Sequence, residues 1–123
     1  MDAAATMPTR WVLASSDLNA RARVLEAAGD ADVVTTDATG FRSSLAGAAV
    51  LILDLDEGGT DALDELIAAR AADEEPERVI GFMSHVDREL GRKAREAGCR
   101  PIARGRFWAH LHDEAEGPTD PSS

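Results

Sequence analysis

The 123-residue sequence predicts an α/β domain built on a parallel sheet. Three observations carry that expectation. Short apolar runs alternate five times with stretches of helical periodicity. One run, residues 49–53, is apolar without any alternation, as a strand buried on both faces of a sheet has to be. The first, third and fourth runs end abruptly in Ser or Asp.

The first strand is expected over residues 11–14, where Trp11-Val12-Leu13-Ala14 runs into Ser15-Ser16-Asp17. Leu18, Ala22 and Leu25 then recur at helical spacing, and Gly29 stops that helix. Residues 33–36 (Val-Val-Thr-Thr) are β-branched throughout and suit a second strand. Residues 41–46 suit a short helix between Gly40 and Gly47. The third strand, 49–53, ends in Asp54-Leu55-Asp56-Glu57-Gly58-Gly59, a polar turn. Thr60 or Asp61 caps the next helix, whose stripe is Leu63, Leu66 and Ile67, and Pro76 ends the region. Residues 79–83 form the fourth strand, ending at Ser84-His85. Val86, Leu90, Ala94 and Ala97 share a helical face stopped by Gly98. Residues 101–103 make a short fifth strand, which Pro101 confines to an edge or to its first position. Phe107, Trp108 and Leu111 form the buried face of a last helix.

The domain so defined spans residues 10–112. Residues 1–9 are small and polar around Pro8; residues 113–123 are acidic and closed by Gly117, Pro118 and Pro121. Both read as flexible tails with too little apolar surface to order themselves. Thirteen Lys and Arg against 23 Asp and Glu leave a formal net charge of −10. That charge argues against binding nucleic acid, where affinity rests on neutralising phosphates, and against an anionic membrane surface. No apolar run approaches the length of a spanning helix, and the N-terminus lacks a basic start followed by an apolar stretch. A cytoplasmic location is the expectation. Cys99 is the only cysteine, which excludes an internal disulfide and a cysteine-rich zinc site. It is expected to be a small buried apolar residue. His85, His110 and His112 lack metal-ligand company, and no zinc is expected.

Right-handed crossovers leave few topologies at this size, and the expected one is the flavodoxin-like strand order 2-1-3-4-5 with helices on both faces. Ligands of such sheets bind at the carboxyl ends of strands 1 and 3, where the winding direction reverses. That rule selects Ser15, Ser16 and Asp17 after strand 1, and Asp54 with Asp56 after strand 3. It adds Ser84 after strand 4 and Arg104 after strand 5. A carboxylate, a hydroxyl and a guanidinium on one rim suit a phosphoryl group or a phosphate-like anion. The same residue types also serve plain helix capping and loop solvation.

Over residues 10–112 the chain resembles a bacterial response-regulator receiver domain. Val50-Leu51-Ile52-Leu53-Asp54-Leu55 is similar to that family's third strand and phospho-accepting aspartate. Val79-Ile80-Gly81-Phe82-Met83-Ser84 is similar to the fourth strand with its terminal hydroxyl, and residues 97–107 to the approach to the fifth strand. The resemblance implies Asp54 as phospho-acceptor, if the site is active, with Ser84 and Arg104 contacting the phosphate. The departures are instructive. Ser15 and Ser16 stand where the family has two adjacent carboxylates that hold Mg²⁺, and a hydroxyl is a poor ligand for so hard an ion. Arg104 stands in place of the family's lysine, keeping the charge but not the compact head. Gly105 and Pro101 stand where the family has a proline and an aromatic switch residue. The resemblance thus implies a degenerate receiver with impaired Mg²⁺-dependent phosphorylation. Only Asp17, Asp54 and Asp56 are left as weak metal candidates, no resident cofactor is expected, and Asp54 is expected to pair with Arg104.

Output is then expected through a protein partner or self-association on the face of the fourth helix, fifth strand and fifth helix. Arg100, Arg106 and Trp108 are its candidate contacts, in the most basic stretch of an acidic chain. A functional phospho-acceptor at Asp54 is one alternative. Another class is open too. Asp54-Leu55-Asp56-Glu57-Gly58-Gly59-Thr60 resembles the Asp-x-Asp-Gly-Thr motif of haloacid-dehalogenase-type phosphatases, with Asp54 as nucleophile and Asp56 as general acid/base. Two residues spoil the spacing before Thr60, and the motif lies mid-chain.

Overall fold

The computed structural model describes residues 9–84 and 87–111. Both expected tails, apart from Thr9, lie outside the described residues, as do His85, Val86 and His112. Five strands form one parallel sheet: β1 (Arg10–Ala14), β2 (Asp32–Thr36), β3 (Ala48–Asp54), β4 (Arg78–Met83) and β5 (Arg100–Ala103). Their order is β2-β1-β3-β4-β5, so the winding reverses between β1 and β3 as expected. The helices are α1 (Leu18–Ala28), α2 (Leu55–Ala71), α3 (Arg88–Glu96) and α4 (Arg104–Ala109). The chain is a flavodoxin-like α/β domain.

The continuous apolarity of β3 has a direct cause. Leu51 and Leu53 face the layer of α2 and α3 together with Val12 and Ala14 of β1. Val50 and Ile52 face the layer of α1 and α4 together with Trp11, Leu13, Ile80 and Phe82. Both faces of the central strands are therefore dry, and neither leaves room for a polar alternate. Pro101 sits in β5, which pairs with β4 alone and so is the edge strand that a residue without an amide hydrogen requires.

Four local expectations are corrected. The stripe Leu18, Ala22 and Leu25 of α1 is exposed, Leu18 by 76% and Leu25 by 54%. Ala20 and Val24 are the buried residues instead. The two stripes lie about 200° apart on the helix, so periodicity alone could not choose between them. Arg21 makes the choice: its Nε donates to the Ser15 carbonyl at 2.8 Å, fixing the rotation of α1 against the sheet edge. Small Ala20 then lets the backbones approach. In α2, Leu63 and Leu66 are buried as expected, but Ile67 is exposed. Between β2 and β3 the expected short helix is a single 3-10 turn, Arg42–Ser44, with Phe41 and Leu45 buried at its ends.

The fourth correction bears on function. Residues 54–59 are not a polar turn. Asp54 is itself the N-cap of α2, its side chain accepting from the Glu57 amide, and the helix starts at Leu55 without a loop. Thr60 and Asp61 cap nothing. The helix breaks once, at Gly59 (φ 51°, ψ −137°), a backbone conformation nearly restricted to glycine. Its first turn, residues 55–58, is thereby tucked against the sheet rim as a separate piece. Leu55, wholly buried, packs under Gly81, where a Cβ would meet Leu55 Cδ1 at 2.8 Å and Cys99 Sγ at 2.9 Å.

Candidate functional site

The carboxyl ends of β1, β3, β4 and β5 deliver Ser15, Asp54, Ser84 and Arg104 to one rim, and the first turn of α2 adds Asp56 and Glu57. The rim has an inner and an outer half.

In the inner half, Asp54 is 2% exposed and Ser15 fully buried. The Ser15 hydroxyl donates to Asp54 Oδ2 at 2.7 Å, and its oxygen accepts from the Asp17 amide at 3.1 Å. Asp54 Oδ1 accepts from the Glu57 amide at 3.0 Å. Both carboxylate oxygens are thus occupied by neutral donors of the chain itself. Ser16 donates its amide to Glu57 Oε1 at 2.8 Å, stitching the end of β1 to the first turn of α2. Among the described residues no buried side-chain polar atom lacks a hydrogen-bond partner.

In the outer half, Asp56 accepts from both Ser84 and Arg104. The Ser84 amide and hydroxyl donate to its Oδ1 at 2.8 and 3.1 Å. Arg104 donates Nη2 and Nε to its Oδ2 at 3.0 and 3.2 Å. The guanidinium lies over the Phe82 ring, with Cζ 4.6 Å from the centroid, and its remaining reach is to Asp54 Oδ1 and Asp17 Oδ2, each at 3.7 Å. Arg104 therefore stands among three carboxylates. Burial pushes the Asp56 carboxyl up, but the Ser84 amide, the Arg104 guanidinium and the Ser84 hydroxyl together outweigh it and hold the group below its ordinary value.

The donor set does not fit Mg²⁺. Ser15 and Ser16 bring no anionic oxygen, Asp54 and Asp56 already accept from N–H and O–H donors on both oxygens, and a guanidinium already supplies positive charge among the carboxylates. Among the described residues there is no group of three or more metal-ligating side chains placed to hold an ion.

Of the sequence-selected rim residues, Ser15, Asp17, Asp54, Asp56, Ser84 and Arg104 contact one another, in a different pairing from the expected one, while Ser16 bonds through its amide to Glu57. Arg104 makes its short contacts with Asp56, and Asp54 is its longer neighbour. Ser84 likewise turns to Asp56. The sequence places Asp56 on the rim but offers it only the roles of weak metal candidate or acid/base; its capture of both Ser84 and Arg104 follows from α2 starting at Leu55. Glu57 and Phe82 were missed as rim residues. A glutamate three residues beyond an N-cap aspartate was the available signal for Glu57.

The expected partner face divides. Arg100 and Arg106 are exposed on β5 and α4. Trp108 instead packs against Phe82 and Phe107, centroids 5.1 and 4.8 Å away, with the Arg23 guanidinium of α1 over its ring at 5.4 Å. It belongs to the layer between α4 and α1. On the other side of β5, Met83, Gly91, Pro101 and Ile102 floor a groove of about 440 Å³ edged by Arg88 and Arg95. Cys99 is buried, and burial pushes its thiol up to about 12, which leaves it unreactive. No helix among the described residues is long and apolar enough to cross a membrane.

No protein-family model matches the sequence, and no curated protein matches it. One similar solved structure is the crystal structure of a protein described as pilus assembly-related from Burkholderia pseudomallei. It is 18% identical, with a TM-score of 0.65, over 85% of this chain and 84% of that one. At that identity the likeness shows the fold alone: a flavodoxin-like α/β architecture along most of both chains.

Proposed function

We propose that this chain is an atypical receiver-like signalling domain of the two-component or phosphorelay type, acting by protein–protein interaction rather than by Mg²⁺-dependent phosphorylation. The observation that carries this reading is the closure of Asp54. A phospho-acceptor needs an exposed carboxylate oxygen, an adjacent metal and a mobile hydroxyl to follow the phosphoryl group. Asp54 has one oxygen held by Ser15 and the other capping α2, and it is 2% exposed. The phosphatase alternative draws no support from the same geometry. Its nucleophile would be this enclosed group, and its acid would be Asp56, which an arginine and a serine keep ionised.

Output on a protein partner rests on the edge formed by α3, β5 and α4. There an apolar floor is edged by arginines in a chain of net charge −10, which favours a partner bearing carboxylates beside apolar side chains. The deciding experiment is incubation with acetyl phosphate and Mg²⁺ followed by intact-mass spectrometry. No phosphoryl adduct is expected; an adduct that maps to Asp54 and disappears in Asp54→Asn would replace this reading with an active phospho-acceptor.

A further inference from the structure

The outer half of the rim contains a complete anion-binding arrangement whose occupant is part of the chain. Ser84 offers an amide and a hydroxyl, and Arg104 offers the Nε–Nη2 edge of a guanidinium whose other face is covered by Phe82. Four donors converge from the ends of two adjacent strands onto one carboxylate. Such a set is chemically that of a phosphate-class oxyanion site, since amide, hydroxyl and arginine donors in a partly shielded setting are what such anions select. Asp56 reaches it only because α2 begins without a loop and breaks at Gly59, which leaves residues 55–58 as one helical turn joined to the rest through a glycine.

We propose that Asp56 is a built-in anion that fills the Ser84–Arg104 cradle and clamps the first turn of α2 to the ends of β4 and β5. A free phosphate-class oxyanion and Asp56 are then alternatives for one place. A tethered carboxylate competes at a high effective concentration, so the intact chain excludes a free anion at ordinary concentrations. The inference deepens the phosphorylation-independent reading above and rests on it: the rim is silent because its anion is internal. When the clamp is displaced, the first turn of α2 loses its tie to the ends of β4 and β5 and is held by the Asp54 cap, the Ser16–Glu57 bond and buried Leu55 alone.

Inorganic phosphate titrated against wild type and Asp56→Ala, followed by amide and arginine side-chain NMR shifts, tests this. Wild type should show no saturable response. Asp56→Ala should bind phosphate at least ten-fold more tightly than wild type, with shifts at Ser84 and Arg104, and adding Arg104→Ala should abolish the gain. The variant should also show faster hydrogen exchange in residues 55–58 than wild type, slowed again by phosphate. If Asp56→Ala proves unfolded, Asp56→Asn is measured in the same way, with a smaller gain of several-fold because its amide oxygen still competes for Ser84. Equal phosphate response in wild type and a folded variant would overturn the proposal. So would collapse of Arg104 onto Asp54 with no phosphate binding. None of these readouts involves phosphotransfer, so an adduct on Asp54 in the acetyl phosphate experiment would sink the functional reading on separate grounds.

Discussion

Asp54 and Asp56 stand two residues apart at one strand–helix junction, yet one is enclosed and the other faces water with its side chain 29% exposed. The enclosed carboxylate is held by neutral donors, a hydroxyl and an amide, and Arg104 is its distant neighbour. The outer carboxylate is held by a guanidinium and by Ser84. The first arrangement is capping and burial, which stabilise the fold; the second is an ionic contact among groups that water can reach, which is exchangeable. Sequence chemistry is the same at both positions. What separates them is the side of the strand end on which each carboxylate falls.

The largest test of this contrast is at Asp54. Asp54→Ala removes the α2 cap and leaves the Ser15 hydroxyl and the Glu57 amide without their acceptor, so it should lower stability by about 2–4 kcal/mol. Asp54→Asn keeps one acceptor and should cost less, with the same sign. Urea midpoints at unchanged slope would measure both. A gain in stability for Asp54→Asn would mean that Asp54 sits in a repulsive acidic cluster, as in an active phospho-acceptor, and the division of the rim would fail.

An intermediate effect is expected at the break in α2 that follows the outer carboxylate. Gly59 has φ 51° and ψ −137° with no atom near enough to oppose a Cβ, so Gly59→Ala isolates the backbone cost from any clash. A loss of about 1–2 kcal/mol is expected. An unchanged melt would show that the first turn of α2 is not held in that conformation in solution.

The smallest effect belongs to Asp56 and appears in acid. Its folded pKa lies below the ordinary value of 3.8, so the ionised form favours the folded state. That contribution is complete above the unfolded pKa and is lost as pH falls through the folded one. Wild type should therefore lose stability on acidification below about pH 4, and Asp56→Asn should show a shallower acid limb. Parallel acid limbs would remove Asp56 from the set of carboxylates that matter to folding.

The strand count, the strand order and the residues at the strand ends were legible in the sequence, whereas Glu57 and Phe82 were not. A doubly apolar strand such as β3 demands cover on both faces, and a proline in β5 demands an edge. These are one-dimensional consequences of local chemistry. The stripe of α1 was misread because two apolar stripes satisfy the same period, and only the bonds of Arg21 to the sheet edge select one. Trp108 fits both the buried stripe of the last helix and a partner face in the sequence, and its packing on Phe82, Phe107 and Arg23 of α1 selects the first.

The sequence by itself determined which side chains the strand ends deliver to the rim, because strand ends in a parallel sheet all point one way and the chain order assigns one end to each run. Only the tertiary structure decided who pairs with whom there. Asp54, Asp56 and Asp17 all lie within reach of one guanidinium, and nothing in their spacing ranks them. The ranking comes from Asp54 being spent on the α2 amide and the Ser15 hydroxyl, which turns Asp56 outward to meet Ser84 and Arg104. Hydrogen-bond geometry between elements far apart in the chain sets that outcome.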